Sequence, residues 1–165
     1  KEISSLYTLA DVINAGCRDG ELDVRGISHR GYFASITDFK SYHDANMDLI
    51  DYKTATDLFH DNWPIYTRTN NSCPTHYFDT ANVSNSVISN GSMIEGTVEN
   101  SIVGRGCTIK KGAVIKNCVV LADCTIGENV HIENLVVDKH AKITHAKEII
   151  RPADEPGYIK RNDTL

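Results

Sequence analysis

The chain has 165 residues, of which 41% are hydrophobic and 24% are charged, and its formal net charge is -5. This composition is typical of a soluble globular protein with one domain, or one domain and a small appendage, and it excludes collagen, coiled coils and extensive disorder. The acidic balance, without a basic stripe that carries interleaved aromatic residues, also argues against nucleic acid as a partner.

The sequence indicates a cytoplasmic protein without a membrane span. No apolar run approaches the roughly 20 residues that a span needs, and residues 1–5 lack the basic-then-apolar pattern of a signal peptide. The five cysteines are odd in number and form no CxxC pair, which predicts reduced, mostly buried thiols and no metal site. Because the first residue is Lys rather than Met, we expect the chain to be part of a longer one.

The first predicted element is an amphipathic helix within residues 1–63. Its apolar residues recur on one side at helical spacing, and Ser4 or Ser5 is placed to be its N-cap. Gly16 is expected to stop the helix, since glycine commonly follows the last helical residue. A loop rich in Gly, Asp and Arg comes after it.

A short strand and a second helix are predicted next. Residues 32–36 form an apolar and aromatic run, which predicts a strand. Thr37 follows this run directly and predicts the N-cap of a helix over residues 39–50. Helices and short strands are therefore expected up to residue 63.

Two other segments predict little regular structure. Residues 64–82 are expected to be a linker, because Pro64 fixes its own φ and biases the preceding residue away from helix. Residues 151–165 hold two prolines and many polar side chains, which predicts a mobile tail or an extended arm.

Residues 83–150, between these segments, contain an internal repeat. A quartet made of asparagine, a variable residue and two aliphatic residues occurs four times, at offsets of 15, 17 and 17 residues. An aliphatic residue also returns about every six positions, the period of hexapeptide repeats. The quartets begin at Asn85, Asn100, Asn117 and Asn134.

A spacing of six residues fits neither a helix nor a long flat strand. On a helix, which turns about 100° per residue, successive aliphatic residues would lie about 120° apart and would form no single apolar stripe. A solenoid fits, because three hexapeptide strands on the three faces of a triangular prism make a coil of about 18 residues. The sequence predicts a parallel β-helix of about four coils, and the hexapeptide pattern resembles that of left-handed β-helices.

One recurring column of the predicted solenoid is a candidate oligomer interface. A short prism has exposed strand edges and apolar faces, which a partner subunit can cover. The column holds the first aliphatic residue of each quartet, namely Val87, Ile102, Val119 and Val136.

Three segments, in order, resemble one family. Residues 31–49 (GYFASITDFKSYHDANMDL) resemble the end of the catalytic domain of bacterial glucose-1-phosphate adenylyltransferase, or ADP-glucose pyrophosphorylase. Residues 63–67 (WPIYT) resemble its following linker, and the repeats with residues 137–143 (VDKHAKI) resemble its C-terminal left-handed β-helix. The resemblance implies that residues 1–63 are a mixed α/β remnant of a nucleotidyltransferase domain.

This resemblance implies a part in glycogen biosynthesis. The family makes ADP-glucose and pyrophosphate from ATP and glucose 1-phosphate with the help of Mg²⁺, in tetramers that respond to phosphorylated small molecules. Its nucleotide-binding portion, with a Gly-rich loop and a sugar-phosphate lysine, is absent from this chain. We therefore expect no catalysis by this fragment alone and no cofactor of its own.

Ser35 stands where catalytic members of the family carry an aspartate that holds the magnesium ion. Serine brings no charge, so a hard divalent cation would lose an anionic ligand. This pattern resembles the second, non-catalytic subunit type, called GlgD, and implies as partners a catalytic subunit, further copies of the chain, or both. Asp38 is expected to serve the following helix rather than a metal ion.

Lys139 matches the family's activator-site lysine, which binds phosphorylated effectors or phosphate beside an aspartate in the cleft between the domains. A lysine at a solenoid corner is a mobile point charge, which suits a phosphate group. Asp138 is the neighbouring aspartate here. Lys142 and Arg151 are weaker companions, proposed because a sugar bisphosphate needs more than one cation.

Two alternative functions remain open. A hexapeptide-repeat acyltransferase uses a histidine at a coil edge as a general base, and His131, His140 and His145 lie in the corresponding half of the chain. The lack of a long loop inserted between the coils, and the adenylyltransferase-like segment before them, count against this reading. The other alternative is a different sugar nucleotidyltransferase with a β-helix tail, such as one acting on precursors of UDP-N-acetylglucosamine.

Overall fold

Three α-helices, one 3-10 helix and fifteen strands form the secondary structure of residues 8–60, 62–67 and 69–165, the part of the chain that this computed structural model describes. The chain divides into two units, residues 1–31 and residues 32–165. Among the described residues, no helix is both long enough and apolar enough to cross a membrane.

The described part of the first unit, residues 8–31, contains one helix, α1 (Leu9–Arg18), which begins with a capping box. Thr8 is the N-cap, and its hydroxyl oxygen accepts a hydrogen bond from the Asp11 N–H at 3.3 Å. The Asp11 carboxylate accepts one in return from the Thr8 N–H at 2.9 Å. Two N–H groups that lack partners within the helix are thus satisfied.

Both ends of α1 differ from the sequence-based expectation, since Thr8 rather than Ser4 or Ser5 is its N-cap. The predicted stop at Gly16 is wrong, because the helix continues to Arg18. Glycine serves packing here instead, since a Cβ at Gly16 would lie 2.5 Å from Cδ1 of Leu22, which folds back over the helix. The predicted caps Ser4 and Ser5 lie outside the described residues.

The second unit begins with three consecutive helices: α2 (Phe39–Met47), a 3-10 helix (Asp48–Ile50) and α3 (Tyr52–Leu58). The strand predicted at residues 32–36 is wrong, because this run is irregular. The N-cap of α2 is Asp38 rather than Thr37, since the Asp38 carboxylate accepts a hydrogen bond from the Ser41 N–H at 2.7 Å. The prediction that Asp38 serves this helix is confirmed.

The remainder of the second unit is a parallel β-helix, as predicted. Every third strand belongs to the same sheet, so that three sheets of five strands form the three faces of a prism. Paired residues of successive layers are 15 or 17 residues apart, except that β12 and β15 pair at an offset of 22, as in Val136 and Tyr158. The five layers enclose about four coils.

The strands are two or three residues long. Sheet 1 consists of β1 (His76–Tyr77), β4 (Met93–Ile94), β7 (Thr108–Ile109), β10 (Thr125–Ile126) and β13 (Lys142–Ile143). Sheet 2 consists of β2 (Asn82–Ser84), β5 (Thr97–Glu99), β8 (Val114–Lys116), β11 (His131–Glu133) and β14 (Glu148–Ile150). Sheet 3 consists of β3 (Val87–Ile88), β6 (Ile102–Val103), β9 (Val119–Val120), β12 (Leu135–Val137) and β15 (Gly157–Ile159).

The repeated aliphatic residues fill the prism. The register of sheet 1 stacks Ile94, Ile109, Ile126 and Ile143 in one column, and all four are fully buried. Full burial of one such side chain contributes about 1.5–3 kcal/mol. Because each layer repeats the same cross-section, the core extends from layer to layer without a gap in the sequence pattern.

The recurring asparagines form a ladder at one corner of the prism. Asn85, Asn100, Asn117 and Asn134 all have positive φ, between 41° and 56°, which asparagine tolerates better than most residues. The side-chain amide of Asn85 donates to the side-chain oxygen of Asn100 at 2.7 Å, and the side-chain amide of Asn117 donates to the side-chain oxygen of Asn134 at 2.8 Å. Asn100 donates to Asn117, and Asn134 donates to the Arg151 carbonyl at 2.6 Å. Each quartet therefore begins with the residue that suits this turn.

The β-helix extends beyond residues 83–150 at both ends. β1 lies within the segment predicted as a linker, and β15 lies within the predicted tail. After β15 the chain follows the last strand of sheet 1, where the Lys142 N–H donates to the Asp163 carbonyl at 2.7 Å and the Leu165 N–H donates to the Lys142 carbonyl at 2.8 Å. Residues 157–165, called the C-terminal arm below, form the extended arm that was one of the two predictions for this segment. Strand pairing depends on backbone hydrogen bonds, so the side-chain composition of residues 151–165 did not predict the pairing of this segment.

Candidate functional site

Lys139 lies in the turn between β12 and β13, at a corner of the prism. The residue after it, His140, has a φ of 63°, which makes the turn tight. The Lys139 side chain is exposed, and none of the ion pairs within the described part of the chain involves it. Its ammonium group is thus available to an anion, as the sequence-based prediction requires.

Asp138 accepts two hydrogen bonds at the same corner. The Tyr158 hydroxyl donates to its Oδ2 at 2.7 Å, and the Lys139 N–H donates to its Oδ1 at 2.6 Å. These two hydrogen bonds, with the nearby charges of Arg161 and Lys139, hold the pKa of Asp138 below its ordinary value. The hydrogen bond between Tyr158 and Asp138 also raises the pKa of the Tyr158 hydroxyl. Asp138 is therefore a fixed, ionised group that holds the corner rather than a proton donor.

The C-terminal arm brings a second cation to this corner. The Asn162 N–H donates to the Lys139 carbonyl at 3.2 Å, which places the arm against the turn. Arg161 is exposed and is near enough to Asp138 to favour its ionised form. Arg161 and Tyr158 are residues that sequence reasoning missed, because both lie about 20 positions from Asp138 in a segment without a motif. We call Asp138, Lys139, Tyr158 and Arg161 the anion corner.

The two companions predicted for Lys139 occupy different places. Lys142 is exposed on β13, three residues after Lys139, and lies beside the C-terminal arm. Arg151 is exposed and borders a shallow pocket with Leu135 and Tyr158. Its N–H donates to the Glu133 carbonyl at 3.1 Å. Lys142 therefore lies with the arm, whereas Arg151 lies at the pocket that Tyr158 also lines.

Helix α2 packs against sheet 3 close to the anion corner. The ring of Phe39, the first residue of α2, meets the Tyr158 ring edge to face, with 5.7 Å between the centroids and 74° between the planes. Near β9 of the same sheet, the buried His43 ring places its Nε2 2.9 Å from the Asn117 carbonyl oxygen. The helix is thus attached to the β-helix at both its first residue and its middle.

The predicted interface column exists, but α2 changes its availability. The register of sheet 3 stacks its four members, and Tyr158 continues the column into the C-terminal arm. Val119 and Val136 are only 1% and 2% exposed, and α2 contacts β9, the strand that carries Val119. Val87 is 42% exposed and Ile102 is half-buried. A role in subunit contact thus stays a prediction for Val87 and Ile102, whereas Val119 and Val136 are covered within the chain.

Ser35 is exposed in the irregular run before α2. Its hydroxyl supplies no charge for a divalent cation, and the nearest carboxylate in sequence, Asp38, is engaged as the N-cap of α2. Among the described residues, no group of three or more His, Cys, Asp or Glu side chains could hold a metal ion. These residues do not fit the magnesium site that the family resemblance associates with this position.

The three histidines of the acyltransferase alternative lie at separate surface positions. The ring nitrogens of His131 are 3.7 Å from a Glu133 oxygen and 3.5 Å from a Glu148 oxygen on the outer face of sheet 2. His140 lies 3.7 Å from Asp123 at a corner. His145 is exposed, and its N–H donates to the carbonyl of Leu165 at 2.7 Å. The described coils hold no long inserted loop, and the largest insertion is the short segment 151–156 between β14 and β15.

The cysteines agree in part with the prediction of buried thiols. Cys107, Cys118 and Cys124 are buried, whereas Cys17 and Cys73 are exposed. Burial raises the pKa of Cys118 to about 12. The buried thiols thus serve packing at the corners of the coils.

Comparisons with known proteins agree with this architecture. The family described as "GlmU-like, C-terminal hexapeptide" matches residues 74–155. Glucose-1-phosphate adenylyltransferase of Geobacillus stearothermophilus is 42% identical over 86 residues, which are 52% of this chain and 22% of that protein. The glycogen biosynthesis protein GlgD of Bacillus subtilis (strain 168) is 38% identical over 133 residues, which are 81% of this chain and 39% of that protein. Glucose-1-phosphate adenylyltransferase of Bacillus mycoides (strain KBAB4) is 36% identical over 122 residues, or 74% of this chain and 32% of that protein.

The three sheets of hexapeptide strands and the matched family define a chain that carries a left-handed β-helix of the hexapeptide-repeat class. The helical segment before the β-helix is included in the similarity to GlgD, which covers 81% of the chain. The chain belongs to the family of glucose-1-phosphate adenylyltransferase and GlgD. It spans between 22% and 39% of the length of these relatives.

Proposed function

We propose that the chain is the assembly and effector-response part of a GlgD-type, non-catalytic subunit of glucose-1-phosphate adenylyltransferase. In this proposal the subunit acts in the cytoplasm, in glycogen biosynthesis. It joins a catalytic subunit, or further copies of itself, in a tetramer. The catalytic subunit converts ATP and glucose 1-phosphate into ADP-glucose and pyrophosphate with its own Mg²⁺.

The anion corner is the observation that carries this proposal. Lys139 and Arg161 present two exposed cations at one turn, and neither takes part in an ion pair among the described residues. A lysine supplies a mobile point charge and an arginine supplies a planar fork of donors, a pair that suits a phosphorylated small molecule. Asp138, held by Tyr158, gives the turn a fixed geometry.

The non-catalytic part of the proposal depends on Ser35. The chain lacks a carboxylate at this position, and the next one in sequence is engaged in capping α2. Without an anionic ligand, a magnesium ion would bind here only weakly. The similarity to GlgD, which extends over 133 residues, supports the same reading.

The test measures ADP-glucose synthesis by a glucose-1-phosphate adenylyltransferase catalytic subunit, titrated with the full-length protein, with and without fructose 1,6-bisphosphate and inorganic phosphate. We expect the protein to be inactive alone, to associate with the catalytic subunit, and to change its rate or its response to these anions. No association and no effect on the rate would contradict the proposal. Binding of acyl-coenzyme A instead would favour the acyltransferase alternative.

Lys139→Ala tests the effector part of the proposal. We expect the half-saturating anion concentration to rise about tenfold, which corresponds to about 1.4 kcal/mol of lost interaction. Lys111→Ala is the matched control, because Lys111 is also an exposed lysine directly before a residue with positive φ, Gly112. An equal response of the two variants would remove Lys139 from the site.

Val87→Asp tests the assembly part. An aspartate in the exposed section of the sheet 3 column would place an unpaired charge in a subunit contact, so we expect weaker association in analytical ultracentrifugation. Ile150→Asp is the control, since Ile150 is 46% exposed on sheet 2, much like Val87 on sheet 3. If both variants associate like the wild type, the column is not the interface.

A further inference from the structure

The anion corner and helix α2 are joined through one side chain. The Tyr158 hydroxyl donates a hydrogen bond to Asp138 at 2.7 Å, and the Tyr158 ring packs edge to face on Phe39 with 5.7 Å between the ring centroids. Tyr158 lies on β15, so that it reaches one group from its hydroxyl end and the other from its ring. No other hydrogen bond or ring contact found among the described residues joins the corner to α2.

The start of α2 is attached more weakly than its middle. His43 is buried, and its Nε2 lies 2.9 Å from the Asn117 carbonyl oxygen, which fixes the centre of the helix on sheet 3. Phe39 is at the edge of the contact and is held by the Tyr158 ring. Besides the Asp38 cap within the helix, the Tyr158 ring is thus the contact that holds the first turn of α2 against the β-helix.

An anion bound at the anion corner changes how the Asp138 carboxylate is stabilised. Lys139 and Arg161 favour the charge of Asp138, and an anion that binds these cations withdraws part of that support. The hydrogen bond from Tyr158 then carries a larger share of the stabilisation of the carboxylate. Because the hydroxyl and the ring belong to the same side chain, a stronger hydrogen bond from the hydroxyl also restricts the ring. The ring in turn restricts Phe39, which packs on it.

We propose that Tyr158 is a positioning residue that couples anion binding at Lys139 to the order of the first turn of α2. This inference rests on the effector role proposed above and adds its route into the helical segment. That segment contains Ser35, only four residues before α2. By linkage, an anion that tightens the first turn of α2 must itself bind more tightly when that turn is ordered.

Hydrogen–deuterium exchange of the full-length protein tests the coupling. Peptides that cover residues 39–47 are compared in inorganic phosphate and in chloride at equal ionic strength. In the wild type we expect exchange in the first turn of α2 to slow about fivefold on saturation with phosphate. In Tyr158→Phe we expect this difference to disappear, although phosphate still binds at Lys139, because the ring remains but the hydroxyl is lost.

Tyr77→Phe is the matched control. Tyr77 is 51% exposed and Tyr158 is 50% exposed, but Tyr77 lies on β1 at the other end of the β-helix. This variant should keep the wild-type response to phosphate. Phe39→Leu interrupts the same route from the helix side and should also abolish the response, while phosphate binding weakens by no more than about fivefold, the limit that linkage sets.

Calorimetry with phosphate separates the two proposals. If phosphate binds the wild type and Lys139→Ala weakens the binding, but Tyr158→Phe keeps the slower exchange in α2, the coupling is overturned and the effector site stands. If α2 does not respond in the wild type despite this binding, the coupling is overturned as well. If phosphate does not bind the wild type at all, the effector proposal fails and the coupling fails with it.

Discussion

The β-helix and the helical segments before it are stabilised by different means. The β-helix holds the fully buried aliphatic columns and the asparagine ladder, and its layers repeat one cross-section. By contrast, no side chain of α1 or α3 is buried, and α2 buries only His43. These helices begin with side-chain caps at Thr8, Asp38 and Asp51. In the β-helix, each repeated layer buries its aliphatic side chains against the next layer. The helices lack such layers and depend on their caps and on the surfaces they pack against.

The largest expected effect comes from the core of the β-helix. Ile115 is fully buried in β8, so Ile115→Ala should lower the free energy of unfolding by about 2–5 kcal/mol through lost burial and a cavity. Ile27→Ala is the control, because Ile27 is 94% exposed and should change stability by less than about 0.5 kcal/mol. Urea titrations measure both. Similar losses for the two variants would contradict the contrast between the regions.

The asparagine ladder gives the next effect. Asn117→Ala removes two ladder hydrogen bonds and places alanine at a φ of 53°, so we expect a loss of about 2–3 kcal/mol. Asn117→Gly keeps the turn and should cost about 1 kcal/mol. Asn129 has a similar φ of 56° but no stacked asparagine, so Asn129→Gly should be nearly neutral. Equal effects of the two glycine variants in urea titrations would show that the ladder adds no stability.

A smaller effect is expected where the two regions meet. His43→Phe removes the donor to the Asn117 carbonyl, and we expect amide exchange in α2 to become about tenfold faster, which corresponds to about 1.4 kcal/mol. His60→Phe serves as the control, since His60 is exposed after α3. If exchange in α2 is unchanged in His43→Phe, this hydrogen bond does not hold the helix on the sheet.

The smallest effect concerns the pH dependence at the anion corner. The folded-state pKa of Asp138 is lowered, chiefly by the Tyr158 hydroxyl, so its contribution to stability is present above the unfolded pKa and is lost as the pH falls through the folded pKa. Tyr158→Phe should raise the pKa of Asp138 toward the ordinary value of about 3.9, as measured by carboxyl NMR titration. The stability difference from the wild type should be present at neutral pH and should vanish in strong acid. An unchanged titration curve would mean that the hydroxyl does not support the carboxylate.

The sequence predicted the β-helix because its signal is repetitive. Each quartet repeats the same placement of asparagine and aliphatic residues, and the observed register stacks these positions on one another. Helices α1 and α2 were predicted in position but not at their ends, and α3 was not predicted. At α2, for example, Thr37 and Asp38 are both acceptable caps, and the choice depends on which side chain faces the Ser41 N–H.

The candidate site was predicted only in part. Lys139 and Asp138 lie in one motif, so the family resemblance could mark them. Tyr158 and Arg161 reach the same corner because the C-terminal arm pairs with the last coil through backbone hydrogen bonds, which carry no side-chain signature. The column of sheet 3 was predicted correctly, but its covering by α2 was not, because helix–sheet packing joins residues about 75 positions apart.

The sequence by itself determined the period, the three faces, the identity of the core residues and the lack of a carboxylate at position 35. These features are local or repeat at short intervals, and each follows from the type of residue at a given spacing. Only the tertiary structure decided which apolar face α2 covers, how the C-terminal arm closes the last coil, and which tyrosine holds Asp138. These features depend on contacts between distant segments, where the backbone path brings the groups together and no spacing in the sequence records it.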